Sequence, residues 1–319
     1  MALFRILGWV ALVAFGFVMV AQIVAIMIVR IPVKSTFPDE GRWDPDGWEL
    51  GGRWIQLPSL DGTPFFGYLT TPIPESKMKG IVVIVHGVNP KPCPGGAEFW
   101  PYAQKLLEQG FGVFVLDHPG YGRSAPGRGR FGVGYFEWQD VVAAYKYLKG
   151  KFPKHQVGFL AKSAGTPAAI IASEQCGDFM VLESTIGSLR SLMRAQITYY
   201  GFPKFMVGAI LPLLEVAWRL FLGWNYARLD PFKVAHKVNI PTMFLFGGRD
   251  PEVLASDSTT LASSIGEQAT VQVYPEAHHN VLRTYGGDPT VMNQQIAEAA
   301  WQDVFKFLRQ VTTARAVAQ

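Results

Sequence analysis

Two kinds of hydrophobic pattern divide the chain. The first is continuous. From Ile6 to Val29 only Gln22 carries a polar side chain, and Arg5, Arg30 and Lys34 flank the run. Its length of about 24 residues gives roughly 36 Å of helix, enough to cross a bilayer core. A signal peptide has a shorter apolar region and a small-x-small cleavage site, and neither fits here. Apolar residues surround the predicted helix, so no amphipathic stripe would seat it on a protein core. The segment therefore reads as an uncleaved signal anchor over 1–33, with the membrane as its partner. Arg5 and the amino terminus balance Arg30, Lys34 and Arg42, so charge does not orient it. Residues 34–51 read as a linker, broken by Pro38 and Pro45.

The second pattern is an alternation of short apolar runs and helical periods. Arg53–Leu57 and Phe65–Thr71 predict a hairpin over the Leu60-Asp61-Gly62-Thr63 turn. Strands are predicted at Gly80–Val85, Phe111–Leu116, Gln156–Leu160, Phe179–Leu182, Thr242–Phe246 and Thr270–Tyr274. Helices are predicted at Glu98–Gln109, Tyr135–Lys149, Ser163–Gln175, Leu254–Ile265 and Val291–Leu308. Such alternation implies an α/β fold, with a mostly parallel sheet and helices on both faces.

From Thr185 to about Val238 the rhythm stops. This stretch is rich in Leu, Phe, Trp and Tyr, and Pro203, Pro212 and Gly223 are expected to cut it into short helices. It reads as a helical cap over the carboxyl edge of the sheet, where open α/β sheets hold ligands. Phe202–Trp224 resembles a second membrane span, but Pro212, Glu215 and Arg219 argue against one. The expected organisation is anchor 1–33, linker 34–51, core 52–184, cap 185–238, core 239–311 and tail 312–319.

Composition adds little. The chain has 319 residues, a net charge of +4 and 49% hydrophobic residues, part of the excess coming from the N-terminus. So modest a charge without a basic stripe excludes a typical nucleic-acid binder. The two cysteines, Cys93 and Cys176, show no metal-type spacing and imply no disulfide framework. The loop with Arg123, Arg128 and Arg130 offers contacts for anionic groups, against which stands the plainer expectation that it is solvated.

Candidate chemistry lies at the predicted strand ends. Gly158-Phe159-Leu160-Ala161-Lys162-Ser163-Ala164-Gly165 runs from a strand through small-x-Ser-x-Gly into an Ala-rich helix. That is the layout of a nucleophile elbow, whose crowded turn needs small residues two before and two after the serine. Ala161 and Gly165 satisfy this, with Ala161 replacing the usual Gly. An activated serine also needs a base, an acid to orient it and donors for an oxyanion. Asp250 follows a predicted strand and a Gly247-Gly248 turn. His278 and His279 follow another strand, and His279 is the preferred base. Val85-His86-Gly87-Val88 follows a buried strand, so the amides of Val88 and Ala164 are the expected oxyanion donors. His86 and Gly87 would support them, and the order Ser163, Asp250, His279 suits the constellation.

These residues resemble the α/β-hydrolase superfamily over roughly Gly52 to Leu308. Asp117-His118-Pro119-Gly120-Tyr121-Gly122-Arg123-Ser124 is similar to its Asp-x-x-Gly-x-Gly-x-Ser turn. Tyr274-Pro275-Glu276-Ala277-His278-His279-Asn280 is similar to its Gly-His-Asn segment, with His278 where Gly is common. The pattern is nearest the membrane-anchored esterase-like branch, including the Bem46-like and alpha/beta-hydrolase-domain proteins. The resemblance implies hydrolysis of an acyl ester, thioester or amide through an acyl-enzyme on Ser163, without metal or organic cofactor. The substrate would be a small-molecule or lipid acyl compound. An acyltransferase, a peptidase and a non-catalytic interaction module are the competing readings, since fold does not dictate reaction.

Overall fold

The computed structural model describes residues 48–72, 74–87, 99–124, 127–128, 132–201, 203–222, 230–283 and 294–314, and positions 9, 16, 19 and 20. All but those four positions of the predicted anchor lie outside the described residues, as do Val88, Cys93 and Arg130. Among the described residues no helix is long and apolar enough to cross a membrane.

The predicted hairpin forms β1 (Arg53–Pro58) and β2 (Pro64–Thr70). Six strands follow: β3 (Ile81–Val85), β4 (Gly112–Asp117), β5 (Val157–Lys162), β6 (Met180–Glu183), β7 (Thr242–Gly247) and β8 (Ala269–Tyr274). The sheet runs in the order β1-β2-β4-β3-β5-β6-β7-β8. β2 is antiparallel to both of its neighbours, and all later pairs are parallel. The chain leaves β3 toward β4 on one side and returns to β5 on the other. A crevice opens at such a switch point, beyond the carboxyl ends of the strands. The turn after β3 carries His86 and Gly87, and the turn after β5 carries Ser163.

Alternation along β3 explains the two-faced core. Ile81, Val83 and Val85 join one buried cluster, with α2 (Trp138–Lys151), α3 (Thr166–Ala172) and α7 (Ala255–Ile265). Val82 and Ile84 join the other, with α1 (Trp100–Glu108) and α8 (Gln294–Ala314). Successive strand side chains point to opposite faces, so a central strand covered on both reads as an unbroken apolar run. The predicted helix over Ser163–Gln175 is shorter than expected. A single 3-10 turn spans Ser163–Gly165, and the α-helix ends at Ala172. The closing helix runs past the predicted Leu308 to Ala314.

The stretch between β6 and β7 carries α4 (Leu189–Tyr199), α5 (Lys204–Leu222) and α6 (Pro231–Val234). Ser188 starts α4 with a capping box shared with Ser191. Pro212 does not end a helix, contrary to the sequence expectation: it lies inside the 19-residue α5. A mid-helix proline costs about 3 kcal/mol. Val207, Leu211, Leu214 and Trp218 offset this by burial against Phe136 of the core and Met193 of α4. An Arg190–Glu215 ion pair joins α4 to α5.

The Arg loop is also corrected. Arg128 is not solvated: its side chain is only 6% exposed and bridges Asp61 at 2.7 Å and Asp140 at 2.7 Å. Arg123 stacks 4.5 Å from the Trp54 ring centroid. The hairpin turn supplies Asp61 and α2 supplies Asp140, two acceptors that residues local to the loop do not reveal.

Candidate active site

Ser163 stands at the carboxyl end of β5 with φ of +49°, a left-handed conformation that a non-glycine residue adopts only under constraint. The constraint is visible. Thr166 Oγ1 donates to the Ser163 carbonyl at 2.7 Å and accepts from the Ile186 amide at 3.1 Å. A methyl group on Gly165 would lie 2.4 Å from the Val85 carbonyl oxygen and 2.6 Å from that of His86, so the elbow excludes any side chain there. Gly87 is packed nearly as closely, since a methyl group there would lie 3.0 Å from the Lys162 oxygen and 3.3 Å from the Ala164 nitrogen. The two turns flanking the switch point therefore touch through backbone.

His86 holds that contact in place. Its ring is buried, its Nδ1 lies 2.8 Å from the Gly87 oxygen, and its Nε2 accepts from the His118 amide at 3.1 Å. Burial, with the nearby His118, lowers its pKa to about 3, so the ring is neutral. With Nε2 accepting, Nδ1 is the protonated nitrogen and donates to Gly87.

Asp250 and His279 come together as expected: Asp250 Oδ2 lies 2.8 Å from His279 Nδ1. Asp250 Oδ1 accepts from the amides of Glu252 and Val253 at 2.8 and 3.1 Å. Burial alone would raise this carboxyl. The hydrogen bond and charge of His279, with the two amides, instead hold it below the usual carboxylate range. Burial likewise opposes a charged His279, yet Asp250 and then Glu252 raise its pKa above the ordinary histidine value, against the pull of Lys162. Nδ1 bonded to Asp250 leaves Nε2 to accept a proton.

β8 is three strands from β5, so the histidine loop must cross back. Arg249 N donates to the Ala277 oxygen at 2.8 Å and Gly248 N to the Tyr274 oxygen at 2.9 Å, tying the loop to the Asp250 turn. Ser184 Oγ donates to the His279 carbonyl at 2.7 Å, and Glu183 accepts from the Leu282 amide at 2.8 Å. Lys162 Nζ hydrogen-bonds Asn280 Oδ1, which brings the loop to the elbow itself. Sequence reasoning missed Glu183 and Ser184, and placed Asn280 only as the neighbour of His279, not as the partner of Lys162. Ser184 has φ of +52°, and no residue pattern around it signals that conformation. Ala164 is buried beside the elbow, while Val88, the other expected oxyanion donor, lies outside the described residues.

A cavity of about 530 Å³ is walled by Tyr135, Trp218, Phe232, Arg194 and Asp257 among others, several of them from the stretch between β6 and β7. Val133 lines it and also packs with Ala164, Ile186 and Val253. No group of metal-ligating side chains occurs among the described residues.

This sheet, switch point and strained serine define the α/β-hydrolase fold. Comparison with known proteins agrees. A family model described as serine aminopeptidase, S33 matches residues 76–217, and one described as dienelactone hydrolase family matches residues 184–312. The protein YfhR of Escherichia coli O157:H7 is 23% identical over 259 residues, covering 79% of this chain and 82% of its own. The esterase Pf2001 of Pyrococcus furiosus superposes with a TM-score of 0.60 at 19% identity, covering 84% of this chain and 96% of the esterase. The acylaminoacyl peptidase of Pyrococcus horikoshii gives a TM-score of 0.57 at 15% identity, covering 81% of this chain and 41% of the peptidase. The chain has the α/β-hydrolase fold, and the models of two hydrolase families each match part of it.

Proposed function

We propose that the protein is a membrane-anchored serine hydrolase that cleaves acyl esters. The observation that carries this reading is the Asp250–His279 contact of 2.8 Å, on a loop bonded to the elbow of a left-handed Ser163. His279 Nε2 takes the Ser163 proton as the hydroxyl attacks the acyl carbonyl. Asp250 holds the ring and stabilises its cation. The Ala164 amide and the Val88 amide receive the oxyanion. The latter shares a peptide unit with the Gly87 carbonyl that His86 holds. The protonated imidazole then releases the alcohol, and water activated by His279 frees the acid.

The cavity offers aromatic walls, Tyr135, Trp218 and Phe232, beside charged side chains such as Arg194 and Asp257, which suits a substrate with both an apolar and a polar part. The run Ile6–Val29 would hold the domain at a membrane, where lipid esters are at hand.

The direct test is labelling by a fluorophosphonate probe. Wild type should react and Ser163→Ala should not; equal labelling of both would refute the nucleophile. A panel of 4-nitrophenyl esters and aminoacyl 4-nitroanilides then separates esterase from peptidase, the second reading, favoured by the aminopeptidase description of the first family model. Retention of the full chain, but not of a chain lacking residues 1–33, in the alkaline-washed membrane fraction tests the anchor.

A further inference from the structure

Lys162 takes no part in that mechanism, yet it joins two parts of the site. It ends β5, immediately before Ser163. Its Nζ meets Asn280 Oδ1, next to His279 in the chain, and lies 5.9 Å from the centroid of the Phe99 ring. The side chain thus spans the nucleophile turn and the base loop.

Both of those partners are neutral, which sets Lys162 apart. Among the described residues, the other half-buried lysines are Lys105 and Lys149. Each meets a carboxylate, Glu298 at 2.9 Å and Asp178 at 3.4 Å. The fold elsewhere neutralises a lysine that it partly withdraws from water. An ammonium has three donors, and Asn280 accepts one of them. An ammonium with donors to spare therefore lies between the nucleophile turn and the base loop. Its field reaches the base, since Lys162 opposes protonation of His279. A clamp between elbow and loop needs only one donor and no charge, so the clamp alone does not account for a cation.

We propose that Lys162 selects substrates carrying an anionic oxygen group, such as a carboxylate, close to the scissile ester bond. The inference rests on the serine-hydrolase reading above. In the bound complex the substrate anion takes the free donors of Nζ and supplies the missing counter-charge. A charge-assisted hydrogen bond of this kind is stronger than one between neutral groups, and weaker at a half-open site than at a desolvated one.

The experiment uses the full-length protein in detergent and pairs of esters matched in length. In one pair the acyl part ends in a carboxylate or in its methyl ester; in the other the alcohol part does. Wild type should favour the anionic member of at least one pair by about ten-fold in kcat/KM. The pair that responds tells which side of the bond faces Lys162. Raising salt from about 0.05 M to about 0.5 M should shrink the preference. Lys162→Met should bring the anionic-to-neutral ratio to about one, and Lys162→Arg should keep most of it. Asn280→Asp, which gives the ammonium a permanent partner, should also collapse the ratio.

Wild type that shows no anionic preference on either side overturns the proposal, as does a ratio that survives in Lys162→Met. Fluorophosphonate labelling of the same samples separates the two hypotheses. Labelled Ser163 without anionic preference sinks only the role of Lys162, whereas absent labelling of folded protein sinks the hydrolase reading. If Lys162→Met does not fold, the wild-type ratio, its salt dependence and Asn280→Asp still decide.

Discussion

Asp250 and His279 meet at 2.8 Å; Asp140 and His118 meet at 2.9 Å, beyond the opposite side of the β3–β5 switch point. The contacts match, but the surroundings do not. The second pair is fully buried, and Asp140 also accepts from Arg128, which in turn reaches Asp61 and Ser59. The His279 side chain keeps 11% of its surface exposed, and its loop is bonded to the elbow. An acid–imidazole contact is thus no signature of catalysis by itself. In one pair the ring keeps part of its surface open; in the other, a cation and a second ring close it in. His118 packs against His86 at 4.8 Å between centroids, and its amide holds the His86 ring that fixes Gly87. The sealed pair braces the turn after β3, and the open pair is the one the proposed mechanism uses.

Mutating the two acids should separate these roles most sharply. Asp250→Asn should lower kcat about ten-thousand-fold, because the ring loses its tautomer, while the melting temperature barely moves. A loss under about ten-fold would remove Asp250 from the mechanism. Asp140→Ala should instead destabilise the fold by about 3–5 kcal/mol in urea titrations, by leaving Arg128 and His118 buried without their acid. Labelling of the fraction that remains folded should persist. A change under about 1 kcal/mol would mean that the network is slack.

The two pairs should also answer pH differently. Burial pushes the Asp140 carboxyl up, but His118 and Arg128 more than reverse this and lower it. Asp61 is held at about 2, chiefly by Arg128. A carboxyl lowered on folding stabilises the protein above its unfolded value near 4 and loses that contribution as pH falls through the folded value. Acid unfolding should therefore set in below about pH 4, and earlier in Arg128→Met. The acid limb of kcat/KM should instead report His279. Its pKa is raised, so activity should grow with pH through a midpoint above the usual 6.5. Lys162→Met should move that midpoint further up; an unchanged midpoint would show that the charge is not felt at the base. The smallest effect is expected from an exposed ion pair, even though it lies next to the open pair in the chain. Arg249 and Glu276 form an ion pair with each side chain 61% exposed, and Arg249→Ala should change stability by no more than about 0.5 kcal/mol.

The open pair was legible in the sequence and the sealed one was not. Ser163, Asp250 and His279 each follow a short apolar strand, and a small-x-Ser-x-Gly turn is a local pattern with a local steric cause. Asp140 is one acid in the first turn of a helix, between Gln139 and Val141, and Arg128 lies in a Gly/Arg loop that reads as solvent-facing. Their partners, Asp61 and His118, are 67 residues from Arg128 and 22 from Asp140. No spacing rule connects such positions, because only the closed fold brings α2, the hairpin turn and the end of β4 together. Pro212 taught the same lesson in the cap, where burial of Trp218 and Leu211 overrode a local breaker.

What the sequence by itself determined was the strand–helix rhythm, the elbow and the order of the acid and base. Each depends on neighbours within a few residues: alternation that buries both faces of a strand, small side chains where a turn is crowded, a carboxylate just past a Gly turn. The tertiary structure alone decided which histidine is sealed and which is open, and that Arg128 turns inward. It also decided that Lys162 is held by neutral groups. Burial and charge pairing are properties of the space between elements, and that space exists only once the sheet has brought the strand ends side by side.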